Sequence, residues 1–257
     1  MRWCVVLPVV ADPLLIAHRG ASAECPENTL AAFQRALDLG VAGLELDVQV
    51  TRDGVPVVFH DATLLRLAGR PGRIPRLTLA ALRTVRIHGE PIPTLAEVLA
   101  LARGRAIVQI EIKPGVPVAP VVRAVRRTRT ARSVILASFE VAAVRAAQAL
   151  APSIPRMLIA GDRAPAQPDR LLPVLARLGA GGVSLGYRSI RSPSVIAALR
   201  ARGFSIWSWT VNDQRTMFRL ATWGVDAVLT DHPARLQAAL RSAAGGVRPA
   251  GRGSSHP

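Results

Sequence analysis

The sequence predicts an α/β fold, a single TIM-type (β/α)8 barrel, and three observations predict it. Short apolar runs that read as buried strands alternate with segments whose apolar residues recur at helical spacing, giving eight strands when the hairpin over residues 43–61 extends the second. With 257 residues, half of them apolar, the chain is long enough for one large core and for one barrel of the usual size. The titratable residues that interrupt the apolar runs stand near their carboxyl ends, where such a barrel gathers its chemistry. Right-handed parallel crossovers close most naturally at this strand number. An open doubly wound sheet is the alternative, and no GxGxxG turn supports it.

The elements follow in order. LLIAHRG reads as a buried strand feeding a loop. PENTLAAFQRALDLG reads as a helix: Pro26 and Glu27 suit its first turn, Leu30, Phe33 and Leu37 recur at helical spacing, and Gly40 stops it. GLELDVQV is a strand with alternating faces, TRDG a turn, and VPVVFHD a returning strand, so this β-hairpin extension of strand 2 folds His60 back toward Glu45 and Asp47. Residues 62–94, rich in Arg, Pro and Gly, read as a short insertion before strand 3: an irregular excursion over the barrel mouth, without a folded subdomain, carrying one helical stretch around LTLAALRTV. Strands at AIVQIEIK, SVILASF, PRMLIAG, GGVSLGY, FSIWSWTVN and DAVLTDHP then alternate with helices from TLAEVLALARG to ARLQAALRS. One domain is expected over residues 1–242, and residues 243–257, aperiodic Gly, Ser, Pro and Arg, are expected to form a disordered tail.

Composition removes several classes of function. The amino-terminal apolar run is broken by Pro8, Asp12 and Pro13 and leads directly into LLIAHRG, so it does not read as a secretory leader, and no run approaches a membrane span. Cys4 and Cys25 have neither metal-ligand spacing nor the density of a disulfide framework, which favours a reducing, cytoplasmic location. The net charge of +16 raises nucleic acid and anionic membrane surfaces as partners. Its excess is Arg scattered along helical faces (Arg123, Arg126, Arg127, Arg129, Arg132, Arg200, Arg202) and aromatics are few, so a solvated exterior is expected, with no nucleic-acid partner and no stable membrane insertion. Among these arginines stands a single lysine, Lys113.

The strand ends carry His18 and Arg19, then Glu45 and Asp47, then Glu111 and Lys113, then Ser138 and Phe139, then Trp209 and Asn212, and finally Asp231. Residues two apart on a strand share a face, so Glu45 with Asp47, and Glu111 with Lys113, point the same way. Carboxylates crowded into one mouth repel, and a divalent cation, Mg²⁺ or Ca²⁺, is the simplest remedy; the oxygen donors and the lack of nearby cysteine argue against structural zinc. The competing reading is an ion network in which the three carboxylates pair with Arg19 and Lys113. Elsewhere, His88 reads as surface, His232 as a cap before Pro233, His256 as part of the tail, Trp207 as core and Trp209 as pocket wall, while Asn28 and Asn212 are placed to orient neighbours and Cys25 has no base beside it.

The series HRG, PENT, ELDVQVTRDGVPVVFHD, EIK, WTVN and TDHP, over roughly residues 14–240, resembles the glycerophosphodiester phosphodiesterase family of the PLC-like phosphodiesterase superfamily. The resemblance implies that His18 and His60 are a catalytic pair, that Glu45, Asp47 and Glu111 hold a divalent metal, that Arg19 and Lys113 bind phosphate, and that Phe139 and Trp209 lie near a glycerol subsite. The chemistry agrees, since diester hydrolysis needs cations on the nonbridging oxygens and groups that take and give protons near neutral pH. The expected substrate is a small-molecule glycerophosphodiester, split to an alcohol and sn-glycerol 3-phosphate. A relative acting on lysophospholipids and a noncatalytic basic barrel are the alternatives, and oligomeric state is left open.

Overall fold

Alternating side chains let a strand bury one face inside a ring and the other beneath helices, and this chain uses both faces. The structure, a computed structural model, describes residues 13–161 and 164–245. Its strands are β1 (Leu14–His18), β2 (Gly43–Val50), β3 (Pro56–Val58), β4 (Arg86–Ile87), β5 (Glu90–Pro91), β6 (Ile107–Ile112), β7 (Val134–Ser138), β8 (Arg156–Ala160), β9 (Gly182–Gly186), β10 (Ser205–Trp209) and β11 (Ala227–Thr230). Parallel pairing runs β1-β11-β10-β9-β8-β7-β6-β2, and β1 pairs with β2 to close the eight-stranded barrel. The hairpin forms as expected, β3 pairing antiparallel to the end of β2 with Val48 opposite Val58.

Helices α1 (Leu30–Asp38), α2 (Leu65–Ala68), α3 (Leu79–Leu82), α4 (Leu95–Ala102), α5 (Val118–Arg127), α6 (Val141–Leu150), α7 (Pro168–Leu178), α8 (Pro193–Arg200), α9 (Gln214–Trp223) and α10 (Pro233–Gly245) follow the strands. In α5, Val118, Val121, Val122 and Val125 are buried against the barrel while Arg123, Arg126 and Arg127 face solvent. Each such buried side chain contributes about 1.5–3 kcal/mol, and the arginines occupy the solvated face expected of them. The lumen is filled separately by Ile16, Ala137, Met157, Ile159, Trp207, Ala227 and Leu229, which puts Trp207 in the core as read.

Two local readings change. Pro26 and Glu27 do not form the first turn of α1; Thr29 caps that helix, its hydroxyl accepting from the Ala32 amide at 3.2 Å, which leaves Glu27 and Asn28 in the preceding loop. The insertion is not irregular: α2, α3 and the β4–β5 hairpin close over a core of Val57, Phe59, Leu64, Ile74, Leu82, Val85, Ile87 and Ile92. These apolar residues have no common period because turns, rather than one long element, bring them together. Among the described residues no helix is long and apolar enough to cross a membrane. Helix α10 runs on to Gly245, so residues 243–245 of the segment expected to be a disordered tail are helical; the rest of that segment with His256, and the amino-terminal segment read as nonsecretory, lie outside the described residues.

Candidate active site

The site begins with a backbone turn. After β1, Arg19 and Gly20 both take positive φ, +60° and +82°. A Cβ on Gly20 would lie 2.7 Å from the Ala32 carbonyl carbon, so only glycine lets this loop press against α1. The turn aims the Arg19 amide at Glu45, where it donates to the backbone oxygen at 3.0 Å and to Oε2 at 3.1 Å.

The PENT loop supplies the next supports. Asn28, also at positive φ, donates from Nδ2 to Asp47 Oδ2 at 2.9 Å and accepts from the Asp47 amide at 3.3 Å. Glu27 Oε1 accepts from Arg19 Nη1 at 2.9 Å. Arg66, on α2 of the insertion, donates to both Glu27 oxygens at 2.9 and 2.8 Å and to both Asp61 oxygens at 2.7 and 3.2 Å.

Parallel register brings the carboxylates together. Glu45 lies beside His18 on β1, and Asp47 beside Glu111 on β6. One ligand oxygen from each of Glu45, Asp47 and Glu111 falls within 4.8 Å of the others, and the three residues are only 2%, 1% and 8% exposed. Lys113 Nζ sits 2.5 Å from Glu111 Oε1 and 3.3 Å from Asp47 Oδ1, and Arg19 Nε 3.2 Å from Asp47 Oδ2. The ion network and the metal-ligand triad are therefore the same residues. Two cations face three carboxylates, and the accounting shows in the protonation. Burial and the neighbouring Asp47 charge push Glu45 up to about 8. Burial and Asp47 likewise raise Glu111. Burial would raise Asp47 as well, but Arg19 and Lys113 overcome it and hold that carboxyl below its ordinary value. A buried, all-oxygen donor set with unbalanced negative charge fits a hard divalent cation.

Each histidine is held at Nδ1 by a carboxylate: His18 by Asp231 Oδ1 at 2.7 Å and His60 by Asp61 Oδ1 at 2.6 Å. This fixes the ring and leaves Nε2 as the working nitrogen. Burial alone would lower the His18 pKa, yet the bond to Asp231 and the Glu45 charge raise it above its ordinary value. Burial also works against ionised Asp231 and Asp61, but His18 for the first and Arg66 with His60 for the second hold both at about 2. Asn212 orients Asp231, donating to Oδ2 at 2.7 Å. The sequence marks Asp231 only as a strand-end residue and gives Asp61, Glu27 and Arg66 no role in the site; nothing in the spacing of the HD and TDHP strings pairs their aspartates with the histidines.

A cleft of about 270 Å³ opens at the carboxyl ends of the strands, lined by His18, Arg19, Glu45, His60, Glu111, Lys113, Phe139 and Trp209 among others. These residues thus meet in one place, with Asp47 held against Arg19 and Lys113; of the other strand-end residues, Asp231 and Asn212 reach the site through His18, and Ser138 is buried, donating to the Ile112 carbonyl. Phe139 stands edge-on to Trp209, centroids 5.6 Å apart, and Trp209 Nε1 donates to the Ser184 carbonyl at 3.2 Å. His88, exposed at the tip of the β4–β5 hairpin, is not among the residues lining this cleft, and the His232 carbonyl accepts from the Leu236 amide at the start of α10.

Residues 18–235 match the profile of the Glycerophosphoryl diester phosphodiesterase family. A glycerophosphodiester phosphodiesterase of Caldanaerobacter subterraneus subsp. tengcongensis is 34% identical over 237 residues, spanning 87% of this chain and 96% of that protein. One from Bacillus altitudinis is 31% identical over 237 residues, spanning 86% and 95%. Among solved structures, an Oleispira antarctica phosphodiesterase in complex with the product sn-glycerol-3-phosphate aligns with a TM-score of 0.82 at 29% identity, covering 89% of this chain and 97% of that one. A glycerophosphodiester phosphodiesterase from Agrobacterium tumefaciens aligns at 0.78 and 30% identity, covering 88% and 99%.

Proposed function

Because the chain belongs to the glycerophosphoryl diester phosphodiesterase family, we propose that it hydrolyses glycerophosphodiesters to an alcohol and sn-glycerol 3-phosphate in the cleft between His18 and His60. The observation that carries this reading is the convergence of two carboxylate-held histidines, three buried carboxylates and two cations on one strand-end cleft.

Glu45, Asp47 and Glu111 would hold a divalent cation, Mg²⁺ or Ca²⁺, which would neutralise the buried charge and supply Lewis acidity toward the phosphate. Arg19 and Lys113, now paired with Asp47 and Glu111, turn to the remaining phosphate charge. Of the two imidazoles, one accepts the proton of the attacking hydroxyl and the other donates a proton to the departing alkoxide, so that one P–O bond forms, one breaks and the histidine pair ends with its proton count unchanged. Asp231 and Asp61 hold the two rings by their Nδ1 atoms. Phe139 and Trp209 wall the organic end of the substrate.

The test is direct: protein stripped with EDTA is given glycerophosphocholine, glycerophosphoethanolamine and glycerophosphoglycerol, before and after Mg²⁺ or Ca²⁺ is returned. Hydrolysis restored by the ion supports the reading, and full activity in chelator sinks the metal assignment. A second reading, action on lysophospholipids, draws on three exposed apolar residues, Phe139 and Val141 just after β7 and Leu65 at the start of α2 in the insertion, which are 39%, 40% and 65% exposed. Faster turnover of a lysophospholipid than of its deacylated counterpart favours it.

A further inference from the structure

The floor of the cleft contains polar groups that the proposed mechanism does not use. Ser184 lies in the middle of β9, is fully buried, lines the cleft, and its hydroxyl has no hydrogen-bond partner. Gln109, on β6 one inward step beneath Glu111, is 1% exposed and lines the same cleft. Its amide nitrogen reaches only a methionine sulfur, Met157 Sδ at 3.7 Å, a weak acceptor. A buried hydroxyl or amide left without a good partner costs about 1–3 kcal/mol, and native interiors retain such groups rarely. Two that line one cleft mark where a ligand atom bonds.

The surroundings specify that atom. Ile159, Leu229 and Trp209 line the cleft around Ser184 and carry no charge, while Gln109 lies opposite Glu45 in the barrel register. A buried hydroxyl in uncharged surroundings reads a neutral hydroxyl, and the phosphate belongs above, with Arg19 and Lys113. On β9 the residues flanking Ser184 on its own face are Gly182 and Gly186. A Cβ on Gly182 would sit 3.0 Å from Met157 Cε and 2.3 Å from the Ser205 carbonyl oxygen, so that glycine is required by close packing and Ser184 is the one polar side chain this face presents. Trp209, bonded to the Ser184 carbonyl, ties the aromatic wall to the same strand.

We propose that Ser184, with Gln109, forms a specificity subsite that binds the terminal hydroxyl of the substrate's glycerol, the one farthest from phosphorus. The inference rests on the phosphodiesterase reading above and adds an orientation: glycerol points down the barrel and the alcohol head group points out past Phe139. Selectivity for the glycerol half is then strict, because a site built around a hydroxyl strands its own buried polar groups when that hydroxyl is missing.

The experiment compares kcat/KM for glycerophosphocholine with that for 2-hydroxypropyl phosphocholine, which lacks only the terminal hydroxyl, in wild type and in Ser184→Ala. The wild type prefers the glycerol compound, and the substitution shrinks that preference by about tenfold, the loss expected for one buried hydrogen bond. An equal loss on both compounds, or a preference within twofold of wild type, overturns the proposal and assigns the hydroxyl to a resident water. Calorimetric binding of sn-glycerol 3-phosphate against 2-hydroxypropyl phosphate gives the same ratio without turnover. It therefore decides the subsite even if wild type hydrolyses neither diester, the result that sinks the phosphodiesterase reading instead.

Discussion

The two arcs of the cleft differ in kind. The arc built by β1, β2, β6 and the hairpin carries His18, Arg19, Glu45, Asp47, His60, Glu111 and Lys113, whereas the arc from β8 to β11 contributes Ile159, Ser184, Trp209, Thr210 and Leu229 and has no charge. Charges on one side of a water-poor cleft make a directional field, and groups aimed at developing charge act most strongly when they need not reorganise. The division teaches that reactivity and selectivity are separately mutable here. Changes on the charged arc should alter the rate for every diester, and changes on the other arc should alter which diester is preferred.

The largest effect that can break this comparison is on the histidines. His18→Ala and His60→Ala should each lower kcat about 10²- to 10⁴-fold on glycerophosphocholine. A p-nitrophenyl diester, whose leaving group needs no proton, separates them: the variant lacking the acid recovers most of its rate on that substrate and the variant lacking the base does not. Near wild-type rates for either variant on glycerophosphocholine would remove that residue from the charged arc's chemistry.

The same asymmetry explains what could be read from the sequence. Charged residues at the ends of apolar runs are expensive unless they have a task, so His18, Glu45, Asp47, His60, Glu111 and Lys113 stood out, and period alone placed their strands. Their supports did not stand out. Glu27 sits where a helix would welcome an acidic residue, and only the cap at Thr29 moves it into the loop that meets Arg19. Arg66 is one arginine in a chain full of them, and its role depends on α2 folding over the small core of the insertion. Ser184 between Val183 and Leu185 looks like ordinary strand filling; what distinguishes it is a missing partner, which exists only in three dimensions.

Arg66 gives the next largest effect and tests whether the insertion contributes to the charged arc. Its guanidinium spans two carboxylates, one holding Arg19 and the other holding His60, so Arg66→Ala frees both working groups at once. The expected loss is about tenfold or more in kcat/KM, since small misplacements near a reacting centre are costly. Stability should change little, because this pair-bridging side chain is 46% exposed and solvent screens it. Arg66→Lys keeps the charge but not the fork and should recover only part of the loss. If Arg66→Ala has no further effect in a His60→Ala background, the coupling runs through His60; an undiminished further loss places it on Arg19.

The smallest effect concerns stability and pH, and it measures the charge imbalance itself. Glu45 in the folded, metal-free protein titrates at about 8 against an ordinary value of 4.5, so between these limits the folded state binds more protons than the unfolded state and stability falls as pH rises. His18, raised above 6.5, acts in the same direction. Asp231 and Asp61, at about 2, act in the opposite direction, but their contribution is complete once pH exceeds the ordinary carboxylate range. The Tm of EDTA-treated protein should therefore decline from pH 5 to pH 8, at about 2–4 °C for each kcal/mol lost. Glu45→Gln, which imitates the protonated carboxyl, should flatten that decline. Mg²⁺ or Ca²⁺ needs the deprotonated triad, so the rise in Tm on adding the ion should be larger at pH 8 than at pH 5. A Tm that climbs with pH over this window in chelator would mean that Arg19 and Lys113 already balance the carboxylates, and the charged arc would then have no excess charge for a cation to neutralise.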